Sequence, residues 1–154
     1  MNNKYINIYN NIVNLTRNKN LYSEMKKQDD FSDRLIFFLF HFGFFLKSFK
    51  KRTDKKELQD IYDYCFRQLE LSIREIGYSD VTINKKMKVY INTFHSILGK
   101  IENWDNVEKS EKSKIFENYL NISLQSDYLA IYFDKFYLDL SKNTLNYYLK
   151  DAIK

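Results

Sequence analysis

Two histidines, one cysteine and two dense lysine groups are the residues of this 154-residue chain whose types could do chemistry. The histidines do not fit a di-iron helical bundle. That site needs a Glu three residues before each histidine, whereas Phe38 stands there before His41 and Asn92 before His95. The single Cys65 excludes a cysteine-rich zinc site, and neither a glycine-rich phosphate loop nor a Gly-x-Ser-x-Gly turn occurs. This inventory argues against an enzyme and calls for no cofactor. His41 lies in an apolar helical run, where an imidazole most often serves as a core group with its hydrogen bonds satisfied; the alternative is contact with a partner. His95 reads the same way with more exposure. Cys65 falls among apolar helix positions and reads as a buried thiol in a reducing compartment.

The lysines carry more functional weight. KSFKKRTDKK, from Lys47 to Lys56, sets six basic residues against Asp54, and a second group comprises Lys85, Lys86 and Lys88 within REIGYSDVTINKKMK. If the latter open a helix, they oppose its macrodipole by some tenths of a kcal/mol each, so stability does not explain them. With a net charge of +5 and a pI near 9.1, one reading is an anionic partner: nucleic acid, phospholipid head groups or an acidic protein surface. The other is a solvated face enriched in lysine by an AT-rich genome.

The elements that position these residues are helices. Proline is absent and only three glycines occur, so the turn chemistry of an all-β protein is missing, while 13 Tyr and 13 Phe require an aromatic-rich core. Apolar residues at helical spacing predict a first helix through Tyr5, Ile8, Tyr9, Ile12 and Val13, ending near Arg17. A second, capped by Asp30 or Ser32, is apolar nearly all round from Leu35 to Leu46. It reads as the central buried helix, with contact at a membrane interface as the rival, since twelve residues fall short of the roughly 20 that cross a bilayer. The third opens after Thr53 or Asp54 and runs a stripe from Leu58 to Ile76, with Gly77 as a left-handed cap. The fourth runs from Ile83 to about Trp104, the fifth is capped by Ser110, the sixth follows Ser126, and TLNYYLKDAIK forms a short last helix. The third helix rises about 33 Å over its length, which puts the two lysine groups at opposite ends of the bundle. The expected fold is all-α: one domain over residues 1–154, a bundle of about six to seven helices.

REIGYSDVTINKKMK resembles the signature of the ubiquinol–cytochrome c chaperone family, the assembly factors for cytochrome b of respiratory complex III. Members typically read Leu-Arg-Glu-Met-Gly-Val-Gly-Asp, then a short apolar step and a basic helix start. Arg74, Glu75, Gly77, Asp80, Lys85 and Lys86 fall on that pattern in order. Upstream, QDDFSDRLIFFLFHFGFFLKSF is similar to the family's Pro-Asp-Thr…Gly-Arg-Phe…Leu-His segment, with Asp29, Arg34, Leu39, His41 and Leu46 in register. The resemblance covers roughly residues 21–104. Departures are Gln28 for the proline, Asp33 for a turn glycine, Ser79 for the second glycine of the turn, and Ser96-Ile97 for a Gly-Arg pair.

The resemblance implies an all-α assembly chaperone, without turnover, that binds newly made cytochrome b, with the ribosome and a second assembly factor as further partners. On this reading Arg34, His41, Arg74, Glu75, Lys85, Lys86 and Lys88 face a partner, while Asp29, Gly77 and Asp80 hold the signature in shape. Asp80 is expected to cap the fourth helix or to accept from the amides of the turn. The start of the chain carries no signal core or import presequence, so a bacterial protein working in the cytoplasm or against the inner membrane is expected. The alternatives are a basic RNA- or ribosome-binding module and a peripheral membrane protein using the Phe-rich helix.

Overall fold

The computed structural model describes residues 4–22, 31–120 and 126–150. Among these residues there are seven α-helices and no strand: α1 (Ile6–Thr16), α2 (Phe31–Phe49), α3 (Lys55–Ile76), α4 (Asp80–Ile101), α5 (Lys109–Glu117), α6 (Ser126–Lys142) and α7 (Leu145–Leu149). Short 3₁₀ turns at Lys19–Tyr22 and Trp104–Asn106 complete the path. The all-α, aromatic-cored bundle expected from composition is what forms.

α2 is the axis around which the rest is laid. A helix that is apolar on every side must be covered on every side, and α2 packs against α1, α4 and α6, with all residues from Phe37 to Phe45 buried. Gly43 lets α4 come close, because a Cβ there would lie 3.3 Å from Ile101 Cδ1. The aromatic side chains of α2 meet rings from almost every neighbour: Phe40 meets Phe116 of α5 and Phe133 of α6, Phe42 meets Phe66 of α3 and Phe94 of α4, and Phe45 meets Tyr148 of α7. Phe44 and Phe45, the residues by which the Phe-rich helix would touch a membrane, face this interior, so that mode of membrane contact is corrected. No helix among the described residues is long and apolar enough to cross a membrane.

Several helix starts differ from expectation. Ser32 lies inside the first turn of α2, and Asp30 is outside the described residues. α5 begins after Glu108, whose side chain makes no cap bond, so Ser110 is an interior residue. α6 begins at Ser126 itself. α4 stops at Ile101; Trp104 follows in the 3₁₀ turn, buried, with its indole N–H donating to Asp134 at 2.8 Å. Cap assignment from single polar residues fails here because Ser and Asp also tolerate the first turn.

The bounds of α3 and the role of Gly77 are as the sequence says. Gly77 has φ +102°, and its N–H donates to the Arg74 carbonyl at 3.0 Å. No atom would crowd an added Cβ. Gly77→Ala therefore tests backbone strain alone: the left-handed conformation costs an L-residue roughly 1–2 kcal/mol, partly offset by a stiffer unfolded chain. A net loss of about 1 kcal/mol is expected in the urea unfolding midpoint, and an unchanged midpoint would remove Gly77 as the residue that fixes this turn.

Candidate functional site

Around Gly77 the signature residues come together in space. The chain reversal carries Asp80 back to Arg74, whose guanidinium pairs with the Asp80 carboxylate and lies 3.7 Å from Glu70 one turn earlier on α3. The hydrogen bond from Arg74 to Asp80, reinforced by both negative charges, raises the arginine pKa above its ordinary value. Asp80 is thus occupied as an ion-pair partner and is not the cap of α4. Ser79 is the cap: its backbone is extended and its Oγ accepts the Thr82 N–H at 3.3 Å. The serine that departs from the family's second glycine has a structural use in this chain.

Because α4 begins at Asp80, Lys85, Lys86 and Lys88 lie in its second and third turns, not its opening turn. The macrodipole acts within the first turn, so the electrostatic objection to these lysines dissolves. Lys85 and Lys88 are exposed, and neither forms an ion pair among the described residues. Lys86 is half-buried, its ammonium 4.8 Å from the centre of the Tyr78 ring. Glu75 is exposed at the end of α3.

The other candidates are elsewhere. Asp29 lies outside the described residues. Arg34 is exposed in the first turn of α2, while His41, seven residues on, is completely buried. Its Nδ1 lies 2.7 Å from the Phe37 carbonyl, which can only accept, so Nδ1 carries the proton; Nε2 then accepts from the Tyr132 hydroxyl, also at 2.7 Å. Burial pushes the imidazole pKa down to about 4. With both nitrogens engaged and no exposed surface, His41 is a core group, and the partner contact expected of it is corrected. His95 is exposed and lies 3.0 Å from the Tyr62 hydroxyl, which links α4 to α3. Cys65 is buried in apolar surroundings that push its thiol pKa up, as expected of an inert thiol.

The Lys47–Lys56 segment divides by role. Lys47 donates to the Glu102 carbonyl at 2.7 Å, just past the end of α4. Arg52 donates to the carbonyls of Leu140 and Asn143 at 2.9 and 2.8 Å, closing the C-terminal end of α6, and lies over the Phe49 ring. Lys56 pairs with Asp60 one turn on. Among the described residues, that leaves Lys50, Lys51 and Lys55 as open cations. Ile97, where the family pattern implies an arginine, is buried against Gly43.

Sequence reasoning missed the apolar half of the α3–α4 turn. Ile76, placed on the buried stripe, is 53% exposed, because α3 outruns the core after Ile73. Tyr78 is 42% and Val81 65% exposed beside it. Part of the signal was present: Tyr78 and Val81 fall outside the 3.6-residue period of the flanking helices, whereas Ile76 stays in phase with Leu69 and Ile73. Among the described residues, no group of three or more His, Cys, Asp or Glu could hold a metal.

No protein-family model matches the sequence, and no curated protein matches it. Among solved structures, the crystal structure of the Cbp3 homolog from Brucella abortus superposes with a TM-score of 0.74, over 98% of this chain and 88% of that one. The two chains share a fold. They do so at 18% sequence identity, which explains why sequence comparison alone finds nothing. The likeness extends well past residues 21–104, so the last third, where motif resemblance is weak, belongs to the same architecture as the Cbp3 homolog.

Proposed function

We propose that this chain is an assembly chaperone for ubiquinol–cytochrome c reductase, binding newly synthesised cytochrome b before its partner subunits join. One observation carries the reading: the whole chain takes the fold of a Cbp3 homolog, and Cbp3 is the cytochrome b assembly factor of the family whose two motif blocks the sequence resembles. The motif residues from Arg74 to Lys86 form one local structure, which gives their spacing a physical reason. Gly77 turns the chain so that Arg74 meets Asp80, and the basic residues follow on the exposed side of α4. The RNA-binding alternative is weakened because Lys47 and Arg52, two of its strongest cations, are spent on helix ends.

Client binding is assigned to the surface around the α3–α4 turn, with Lys85, Lys86, Lys88 and Glu75 as contact residues, Arg34 as an outlying one, and Arg74 acting chiefly as a positioning group. Deleting the gene in its host is expected to deplete assembled complex III and leave the other respiratory complexes near their normal level. Affinity capture of the tagged chain from native membranes is expected to retain cytochrome b. Normal complex III in the deletion strain would end this reading.

A further inference from the structure

We propose that the α3–α4 tip docks the protein on the surface of an anionic phospholipid bilayer. This goes beyond the assembly-chaperone reading and rests on the geometry of the tip alone. Every residue from Arg74 to Val81 is exposed, while Ile73 and Ile83 on either side are buried. The turn therefore stands clear of the core as a convex knob. Five of the nine exposed large hydrophobic side chains among the described residues belong to this hairpin: Leu71, Ile76, Tyr78, Val81 and Val89. Scattered exposed apolar residues need no explanation, but a concentration at one protruding turn does.

The depth profile of the tip matches a bilayer interface. Ile76, Tyr78 and Val81 lead. On α4, Lys85 and Lys88 follow Val81 by four and seven residues, a rise of about 6 and 10 Å along the helix. Interfacial segments bury their apolar residues some 5–10 Å into the boundary between head groups and acyl chains, with lysines at phosphate level. Lys86 over the Tyr78 ring holds an aromatic group and a cation together at that boundary. From Arg67 to Val89 there are five cations against three carboxylates. Two of those carboxylates, Glu70 and Asp80, are engaged by Arg74, which leaves Glu75 as the one that opposes an anionic surface.

The test is co-sedimentation of the full chain with phosphatidylcholine vesicles, with and without phosphatidylglycerol, at low and high salt. The parent is expected to bind the anionic vesicles more than 10-fold tighter than the neutral ones, with the difference shrinking in high salt. Lys85→Gln/Lys86→Gln/Lys88→Gln is expected to weaken anionic binding roughly 100-fold. Ile76→Ser/Val81→Ser is expected to weaken it about 30-fold. Glu75→Gln is expected to strengthen it about 5-fold. Of the six substituted residues five are exposed and Lys86 is half-buried, and cooperative thermal melts check that each variant is folded. Equal binding to both vesicle types, or a Glu75→Gln variant no tighter than the parent, overturns the proposal. So does a parent that ignores vesicles while retaining an apolar client peptide through the same residues. Complex III levels in the deletion strain are a separate readout, so either reading can fail without the other.

Discussion

Replacing Phe133 with alanine is expected to remove about 4 kcal/mol of unfolding free energy, a large part of the stability of a chain this size. Phe133 sits on α6 with no exposed surface and is the ring where the central helix and two others meet. It stacks at 18° on Phe44 and on Phe116, both at 5.3 Å between centroids, and meets Phe40 at 5.7 Å and His41 at 4.9 Å. Truncation costs the transfer energy of the ring, leaves a cavity walled by rigid rings that cannot collapse, and removes several aromatic pairs worth about 0.5–1.5 kcal/mol each. The stiffness of the neighbours places the expected loss at the upper end of the range for Phe→Ala. Phe133→Leu keeps most of the volume and is expected to cost about 1–2 kcal/mol. Urea unfolding followed by circular dichroism measures both. A loss below about 2 kcal/mol for the alanine variant would mean that α6 is held by something other than this ring cluster.

The same cluster shows why parts of the fold were legible and others were not. α2 could be read as buried because every side of it is apolar, a property that local sequence contains in full. α3 could be bounded because Asp54 precedes it and Gly77 must adopt a left-handed conformation after it. Both signals are local. By contrast, the roles of Lys47 and Arg52 depend on the ends of α4 and α6, which lie 55 and about 90 residues away in sequence. Nothing in KSFKKRTDKK says which of its cations will find a carbonyl. Asp80 was taken for a cap because Asp commonly serves as one, yet the turn hands that task to Ser79 and gives Asp80 to Arg74. At the candidate site the motif spacing marks Arg74 through Lys88, which the fold brings into one local structure, but it speaks for the polar half only. The exposed Ile76 falls on the apolar stripe of a helix that has already left the core, and Tyr78 and Val81 beside it belong to no stripe at all.

His41 supplies the second large effect, and it depends on pH. In the folded chain the imidazole is neutral, enclosed by Phe133, Phe136 and Tyr132, and its pKa is pushed from 6.5 down to about 4 by burial. In the unfolded chain it titrates near its ordinary value. Between pH 6.5 and 4 the unfolded state therefore holds a proton that the folded state refuses, and stability falls as pH falls through that window. Above the unfolded pKa neither state binds the proton, so the group adds no pH dependence there. Each unit of pKa difference corresponds to about 1.4 kcal/mol, which makes the full loss about 3 kcal/mol. Carboxylates titrate over part of the same range, so the measurement is a comparison. His41→Gln keeps a donor for the Phe37 carbonyl and an acceptor for the Tyr132 hydroxyl but has no titratable group. At pH 7 the variant is expected to be the less stable of the two, since its amide fits the ring pocket poorly. As pH falls toward 4 the curves should converge and then cross, the parent having lost about 3 kcal/mol more than the variant. Parallel stability curves from pH 7 to 4 would show that the imidazole accepts its proton without leaving the folded core, and would remove burial as the force that holds it neutral.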